Sequence, residues 1–408
     1  MTLYQESEVA TRDGNRGLQE RLAAELREMH ERGVYKELQH ILGRQSAVVK
    51  LEGHGEVVNL CSNNYLGLCD EPDVMSAVRE GVDRYGAGTS SVRFICGTFD
   101  IHRQLEDRIA DFLEMPASLT YTSCWNANEG LFAPLLSEED AIISDELNHA
   151  SIIDGIRLCK ARRRIYRHMD MDSLEDALKE SGNARHRFVI TDGIFSMEGE
   201  IAPLVEIRHL CDRYDAVMAI DDSHATGVLG ETGRGTPEHF GIHGEVDVVT
   251  STLGKALGGM AGGFTAGSRE VVEYLVQRSR TQLFTNAIPP HSACGALAAI
   301  DHLESHPERV AKLRENTAYF REQLARLGYR PIEGETPIVP VVVGETATAI
   351  SLSTQLLEEG AFVIGFGYPV VPKGQARIRC QVSAGHDREH LDRTLDALDT
   401  VGKRLGVI

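Results

Sequence analysis

AVMAIDDSH, residues 216–224, is a short apolar run that ends in two carboxylates, a serine and a histidine. A second apolar run, DVVTSTLGK at 247–255, ends in hydroxyl side chains, a glycine and a lysine. Short runs of β-branched and apolar residues bounded by polar turns are typical of buried strands. The two stretches therefore predict two strands, and the chain beyond their ends carries Asp221, His224 and Lys255.

The same pattern continues on both sides of these strands. Helical periodicity alternates with short apolar segments from about residue 100 to residue 266. The predicted strands are 117–122, 140–144, 164–167, 187–191, 216–220, 247–250 and 263–266, and the predicted helices are 102–114, 126–136, 149–160, 172–181 and 203–214. Nearly apolar strands separated by helices predict a mostly parallel central sheet, covered on both faces, in an α/β fold.

The two ends of the chain have a different pattern. An amphipathic helix at 17–33, ending at Gly33, precedes β-like segments at 47–51 and 56–60. After Pro290, helices at 290–304, 307–327, 346–359 and 387–404 alternate with strands at 338–343, 361–364 and 376–380. We expect an N-terminal helical and β arm (1–50), a large domain carrying the site (51–290) and a smaller C-terminal α+β domain (291–408).

Composition excludes several classes of function. The formal net charge of −19 disfavours nucleic acid and anionic membranes as partners. The apolar stretches, such as 339–343, are too short to span a bilayer, and the first residues show no signal-peptide pattern. Eight cysteines without a C-x-x-C pair indicate reduced thiols and no metal site. We expect a cytoplasmic protein.

Two nucleotide-binding motifs fail. Gly86 and Gly88 are followed by Ser91 where G-x-G-x-x-G requires a third glycine. Around Lys255, the upstream glycine and the hydroxyl residue of a P-loop are both missing. The glycines and the lysine therefore need another explanation.

Pyridoxal 5'-phosphate (PLP) chemistry fits Asp221 and Lys255 together. Taken alone, Asp221 could be an ordinary helix cap or a member of a buried ion pair, and Lys255 could be an ordinary surface lysine. PLP needs a lysine for its Schiff base and an acid that keeps the ring nitrogen protonated. Because open α/β sheets bind ligands at strand ends, the two side chains can reach one pocket. His224 can donate to the phenolic oxygen of the cofactor and Thr252 to its phosphate.

Longer motifs carry a family resemblance. DDSHATGVLGETGRG (221–235), STLGKALGG (251–259) and SDELNHASIIDG (144–155) resemble the α-oxoamine synthases, fold-type I PLP-dependent transferases. The similarity runs from LCSNNYLGL (60–68) to VGKRLGVI (401–408). SVRFICGT (91–98) and YPVVPKGQARIR (368–379) are most similar to the members that join glycine to acetyl-CoA. The resemblance implies a homodimer with shared active sites.

The resemblance also implies roles for individual residues. Lys255, His149, Asp221 and His224 form the implied catalytic set. The implied cofactor contacts are Cys124, Trp125, His149, Ser196, Asp221, His224, Thr252 and Lys255, with Thr285 and Asn286 reaching the phosphate of the neighbouring subunit. Asn63 and Arg379 would hold the substrate carboxylate, since a guanidinium binds a carboxylate through two parallel hydrogen bonds. His149 would stack on the cofactor ring and polarise the thioester.

The implied reaction is a Claisen-type condensation with Lys255 as general base. Glycine, or another small amino acid, and acetyl-CoA would give 2-amino-3-oxobutanoate and CoA; the reverse would serve threonine breakdown. Alternatives are a longer acyl-CoA donor, as in 8-amino-7-oxononanoate synthase or serine palmitoyltransferase, another PLP reaction, or a catalytically silent partner subunit. Four features depart from the pattern of the members that join glycine to acetyl-CoA, which leaves the acyl donor open. They are Trp125, Thr285, Thr89-Ser90 and GTFDIH (97–102).

Two segments bear on the acyl-CoA. Val92 and Phe94 flank Arg93 where the resembling aminolevulinate synthases carry polar side chains, which predicts an uncharged acyl group. Alternatively, Val92 and Phe94 are core residues that never contact it. The basic run 160–167 is either a contact for CoA phosphates or, as we favour, a solvated strand edge.

Overall fold

A computed structural model describes residues 16–32, 34–368 and 370–408. The chain divides into two compact units, 1–40 and 41–408. In the first, helix α1 (Arg16–Glu31) forms where a helix was expected at 17–33, and the expected end at Gly33 lies outside the described residues. The domain boundaries at 50/51 and 290/291 stay predictions.

The second unit contains the strands and the other helices. The strands are β1 (Val48–Leu51), β2 (Gly55–Asn59), β3 (Ala117–Tyr121), β4 (Ala141–Asp145), β5 (Arg162–Tyr166), β6 (Arg187–Asp192), β7 (Ala216–Asp221), β8 (Val248–Thr252), β9 (Gly263–Gly267), β10 (Ile338–Gly344), β11 (Ala361–Phe362), β12 (Ile364–Phe366) and β13 (Ala376–Gln381). The helices are α2 (Pro72–Tyr85), α3 (Asp100–Phe112), α4 (Cys124–Glu129), α5 (Phe132–Leu135), α6 (Ala150–Leu158), α7 (Met171–Glu180), α8 (Leu204–Arg213), α9 (Thr236–Phe240), α10 (Arg269–Arg278), α11 (Arg280–Leu283), α12 (Pro290–Ser305), α13 (Glu308–Leu327), α14 (Thr346–Glu358) and α15 (Arg388–Leu405).

The central sheet has seven strands within the described residues, in the order β3-β9-β8-β7-β6-β4-β5. The pairs from β8 to β5 are parallel, whereas β9 is antiparallel to both of its neighbours. Every residue of β4 and β9 is buried, as expected for strands covered on both faces. The predicted mostly parallel α/β fold is confirmed, and each predicted strand of this sheet is present.

The helix predicted at 126–136 is wrong as one element, because the chain forms α4 and α5 with a break at Gly130. A continuous helix would need the backbone N–H of residue 134 to donate to the Gly130 carbonyl, but that residue is Pro134. The Ser279 hydroxyl donates to that carbonyl instead, at 2.9 Å. The tertiary contact therefore supplies the hydrogen bond that proline cannot.

The predicted strand at 361–364 is also divided, since β11 and β12 belong to different sheets. β11 pairs in parallel with β2, and β12 pairs antiparallel with β13. The basic strand β5 lies at the edge of the central sheet, and its arginines are exposed. This agrees with the solvated edge favoured for residues 160–167.

The end of β13 is fixed against the chain that follows β2. The Gln381 N–H donates to the Leu60 carbonyl at 2.8 Å, and the Ser383 hydroxyl donates to the Asn64 carbonyl at 2.7 Å. This contact brings Arg379 and Gln381, which are distant in sequence, beside the segment that holds Asn63 and Tyr65.

Candidate active site

A cavity of about 210 Å³ opens at the carboxyl ends of the central parallel strands. Asp192 and Asp221 end β6 and β7 in register with each other, and Thr252 ends β8. One water needs about 10–15 Å³ of such space, so the cavity has room for a ring-sized group. We call it the strand-end cavity; it is lined by Ser123, Cys124, Trp125, His149, Ser151, Asp192, Ile194, Asp221, Ser223, His224, Thr252 and Lys255.

Asp221 is buried and held by three donors. Its Oδ2 accepts from Asn128 Nδ2 at 2.6 Å and lies 3.7 Å from the Cys124 thiol, and its Oδ1 accepts from the Ser223 N–H at 3.0 Å. Asn128 is fixed in turn, because its Oδ1 accepts from the Thr250 hydroxyl at 2.7 Å. The carboxylate is therefore oriented before any ligand arrives.

The Lys255 amine makes no hydrogen bond or ion pair with the described residues, although the side chain lines the same cavity. Burial lowers the pKa of its amine, while Asp221, Cys124 and Asp192 oppose that change. A lysine with a lowered pKa has a larger unprotonated fraction at neutral pH, and the unprotonated amine is the nucleophile. The amine is thus available for covalent attachment of a carbonyl compound.

His149 caps the start of α6 and lines the cavity. Its Nδ1 accepts from the Ser151 N–H at 3.2 Å and lies 2.7 Å from the Ser151 hydroxyl. The Trp125 ring meets it edge to face, with centroids 6.0 Å apart. Burial lowers the pKa of His149, as does Lys255. The residue is both a helix cap and a wall of the cavity.

Thr252 and His224 face the cavity from successive strand ends. The Thr252 hydroxyl donates to the Gly262 carbonyl at 3.2 Å and accepts from the Gly254 N–H at 3.0 Å. His224 Nδ1 lies 2.8 Å from the Tyr65 hydroxyl, and burial lowers the pKa of this histidine well below its usual value. Thr252 is thus held within its own turn, whereas His224 is held by a residue that is distant in sequence.

The predicted substrate residues lie just outside the cavity lining. Arg379 Nη1 donates to the Ser196 carbonyl at 2.8 Å. Asn63 Oδ1 lies 2.7 Å from the Gln381 amide nitrogen, when that amide is oriented to satisfy its hydrogen bonds. Asn63, Ser196 and Arg379 are thus gathered at one side of the site, and Ser196 contributes its backbone carbonyl to this contact.

Thr285 and Asn286 lie elsewhere in the chain. Thr285 lines a second concavity of about 910 Å³ with Arg278, Arg280 and Phe284, and the strand-end cavity does not include it. Asn286 forms a backbone bridge with Val92, so the turns at 91–97 and 283–287 lie together. We call this pair the exposed turns, because Phe94, Ile95 and Phe284 are 59 %, 69 % and 67 % exposed. Phe94 is therefore not a core residue of this chain.

Several site residues were missed from the sequence. Asp192 is buried in the cavity wall, and its Oδ1 has no hydrogen-bond partner among the described residues. Burial raises its pKa well above the usual range, and the adjacent Asp221 adds to that rise. Like Asp221, it ends an apolar strand, so the same pattern could have identified it. Asn128, Ser151 and Gln381 act through contacts that no sequence pattern indicates.

The residues present fit PLP. A free amine, an oriented carboxylate, a buried histidine and a hydroxyl face one cavity from the ends of β7 and β8 and the turns that follow them. The orphaned Asp192 oxygen adds a buried polar atom that a ligand can satisfy. The described residues contain no cluster of histidine, cysteine, aspartate or glutamate able to hold a metal ion. The fold and the cavity define the class of protein, a PLP-dependent transferase.

Comparisons with known proteins agree with this class. Residues 55–398 match the family Aminotransferase class I and II. The 2-amino-3-ketobutyrate coenzyme A ligase of Escherichia coli K12 is 47% identical over 391 residues, which are 95% of this chain and 98% of the relative. The 8-amino-7-oxononanoate synthase of Thermosipho melanesiensis is 44% identical over 386 residues, with 95% and 98% covered.

A solved structure shares the fold as well. The serine palmitoyltransferase of S. paucimobilis, solved with a bound PLP–myriocin aldimine, aligns with a TM-score of 0.91 and 27% identity over 97% of this chain and all of that one. The chain belongs to the aminotransferase class I and II family, and within it to the PLP-dependent α-oxoamine synthases. Among the described helices, none is both long and apolar enough to cross a bilayer.

Proposed function

We propose that the protein condenses glycine with acetyl-CoA to give 2-amino-3-oxobutanoate and CoA, or runs the reverse reaction in threonine breakdown. The observation that carries the proposal is the unpaired Lys255 amine in the same cavity as the oriented Asp221 carboxylate. The names of relatives that are 47–48% identical over nearly the whole chain support this substrate pair.

Bound PLP would supply an electron sink for the charge that develops at the amino acid Cα. Lys255 would hold the cofactor and then, once freed, accept the Cα proton of glycine. Its lowered pKa suits a base that must be unprotonated near neutral pH. Asp221 would keep a proton on the ring nitrogen, a role for which its three donors already orient it.

The substrate carboxylate would bind Arg379 and Asn63. The Arg379 guanidinium donates to the Ser196 carbonyl and faces the Gln381 amide, which fixes its plane beside the site. Ser196 and Thr252 would complete the contacts to the phenolic oxygen and the phosphate. His149 would stack on the ring and donate to the thioester carbonyl, with Trp125 and Cys124 closing the wall beside it.

A homodimer with shared active sites is part of the proposal. The exposed turns present large apolar side chains together, and contiguous apolar surface of this kind marks protein interfaces. Thr285 and Asn286 belong to these turns and lie outside the strand-end cavity of their own chain. A second copy of the chain would let them complete the neighbouring site. We also propose a cytoplasmic location, which the unpaired cysteines support.

A longer acyl donor is the second candidate, favoured by the 44% identity to an 8-amino-7-oxononanoate synthase. The experiment that separates the two candidates is a panel of acyl-CoAs with glycine, scored by release of the CoA thiol. The proposal predicts the highest kcat/KM with acetyl-CoA. A much higher kcat/KM with octanoyl-CoA would replace it by the second candidate.

A further inference from the structure

A chain of buried side chains connects Arg379 to the wall of the strand-end cavity. Arg379 and Gln381 lie two residues apart on β13, so their side chains share a face. Tyr65 follows β2 and His224 follows β7. Tyr65 is 0 % exposed and Gln381 1 % exposed, so the hydrogen bonds among these groups are made inside the protein.

The donors and acceptors of this chain run in one direction. A guanidinium only donates, so the Gln381 amide oxygen must face Arg379, at 2.7 Å from Nη2 and 3.2 Å from Nε. The amide nitrogen then faces the Tyr65 hydroxyl at 2.9 Å and donates to it. Because that bond uses the phenol oxygen as acceptor, the Tyr65 O–H is left to donate elsewhere.

The nearest acceptor for the Tyr65 O–H is His224 Nδ1, at 2.8 Å, whereas Asn63 Oδ1 is 3.4 Å away. Burial raises the pKa of Tyr65, so the phenol keeps its proton. Burial lowers the pKa of His224 well below its usual value, and Lys255 and Arg379 lower it further. A neutral imidazole that accepts at Nδ1 carries its only proton on Nε2.

We propose that Tyr65 and Gln381 are positioning residues that lock His224 in its Nε2–H tautomer, with Arg379 setting the direction of the hydrogen bonds. The locked tautomer makes Nε2 the one donor of a ring that lines the strand-end cavity. Its use, donation to the phenolic oxygen of the cofactor, rests on the proposed function. The tautomer itself does not, because it follows from contacts within the chain.

The test reads the tautomer directly by ¹⁵N NMR of histidine-labelled full-length protein, with and without added PLP. His224 is assigned from the signal lost in His224→Asn. We expect the wild-type chain to show the Nε2–H pattern. An Nδ1–H pattern, or a rapid average of the two tautomers, would overturn the proposal.

The Gln381→Glu substitution should reverse the tautomer of His224. The introduced carboxylate only accepts, so it takes hydrogen bonds from both Arg379 and the Tyr65 O–H. The phenol oxygen then accepts from His224, whose proton moves to Nδ1. Unchanged ¹⁵N shifts in a folded Gln381→Glu protein would contradict the relay.

Tyr65→Phe removes the donor while keeping the ring, and we expect averaged His224 shifts and turnover lower by about two- to tenfold. Tyr329→Phe is the matched control, since this buried phenol donates to the Leu398 carbonyl and lies outside the relay. Its His224 shifts should equal those of the wild type. If the protein bound no PLP, the proposed function would fail and the tautomer result would still stand.

Discussion

The strand-end cavity and the exposed turns carry predicted cofactor residues in opposite surroundings. In the cavity, Asp221 has three donors and its partners are themselves fixed, so one chain completes that part of the site. In the exposed turns, Phe94 and Phe284 are largely in solvent, and Asn286 pairs with Val92 through a backbone bridge. Within one chain the sheet orients the reacting groups, whereas the proposed role of the turns requires a second copy of the chain.

Lys255→Ala tests the cavity side of this comparison and should have the largest effect. The substitution removes both the attachment point and the general base, so the loss should exceed the about 10²–10⁴-fold that a general base alone contributes. Thiol release measures turnover, and thermal unfolding checks that the variant folds. Lys403→Ala, an exposed lysine paired with Asp399, is the matched control and should keep wild-type activity. Thiol release by Lys255→Ala near the wild-type rate would refute the assignment.

Asp221→Asn should lower kcat by about 10³-fold, at the upper end of the usual cost of one removed electrostatic group. The neutral amide cannot hold the proton on the ring nitrogen, although the cofactor should still bind and absorb visible light. Stopped-flow or steady-state kinetics with glycine and acetyl-CoA measure the decrease in kcat. A decrease below tenfold would mean that another acid, of which Asp192 is the nearest in register, fills this role.

The acyl group tests whether the exposed turns contribute specificity. Arg93 donates to Glu106 at 2.7 and 3.1 Å, to Thr120 at 2.9 Å and to Thr98 at 3.0 Å. Val92 and Phe94 offer no hydrogen bond, so a carboxylate placed against them would lose water without gaining a partner. We expect kcat/KM about 100-fold lower for succinyl-CoA than for butyryl-CoA, which has the same chain length without the charge.

Chain length alone should have a graded effect in the same assay, because one methylene changes pocket binding by about 1–3 kcal/mol. Propionyl-CoA should therefore remain a substrate. Equal kcat/KM for succinyl-CoA and butyryl-CoA would show that Val92 and Phe94 do not meet the acyl chain.

Subunit complementation tests whether the exposed turns complete the neighbouring site, and it has the smallest expected effect of these experiments. A Lys255→Ala chain mixed with a Thr285→Ala/Asn286→Ala chain should recover about a quarter of wild-type activity, since half of the dimers are mixed and each has one intact site. Each variant alone serves as its own inactive control, and native mass spectrometry counts the mixed dimers. Mixed dimers without recovered activity would place Thr285 and Asn286 in the site of their own chain.

The sequence predicted those site residues whose positions follow from the order of strands and helices along the chain. Asp221 and Lys255 follow apolar strands, and the rule that parallel sheets bind ligands at their carboxyl ends brought them together. Asp192 follows a strand in the same way and was missed because the family resemblance assigned a role only to Ser196 within TDGIFSMEG (191–199). The family resemblance supplied His149 and Arg379, whose positions depend on a turn and on a second sheet.

What the sequence could not predict depends on contacts between distant segments. The Tyr65–His224 bond joins residues 159 positions apart, and Arg379 reaches the Ser196 carbonyl across 183 positions. The break between α4 and α5 is different, because Pro134 is visible in the sequence and only the Ser279 hydroxyl that satisfies the Gly130 carbonyl is distant, at 149 positions. Local periodicity contains no information about the distant pairs, whereas the helix expected at 126–136 overlooked the proline.

The most direct test of the account is the position of the covalent link to PLP. The protein incubated with PLP and reduced with borohydride should carry one pyridoxyl group, and peptide mass mapping should find it on Lys255. The visible absorbance of the bound cofactor should disappear at the same time. A pyridoxyl group on any other lysine, or bound cofactor that borohydride leaves unattached, would contradict the central claim.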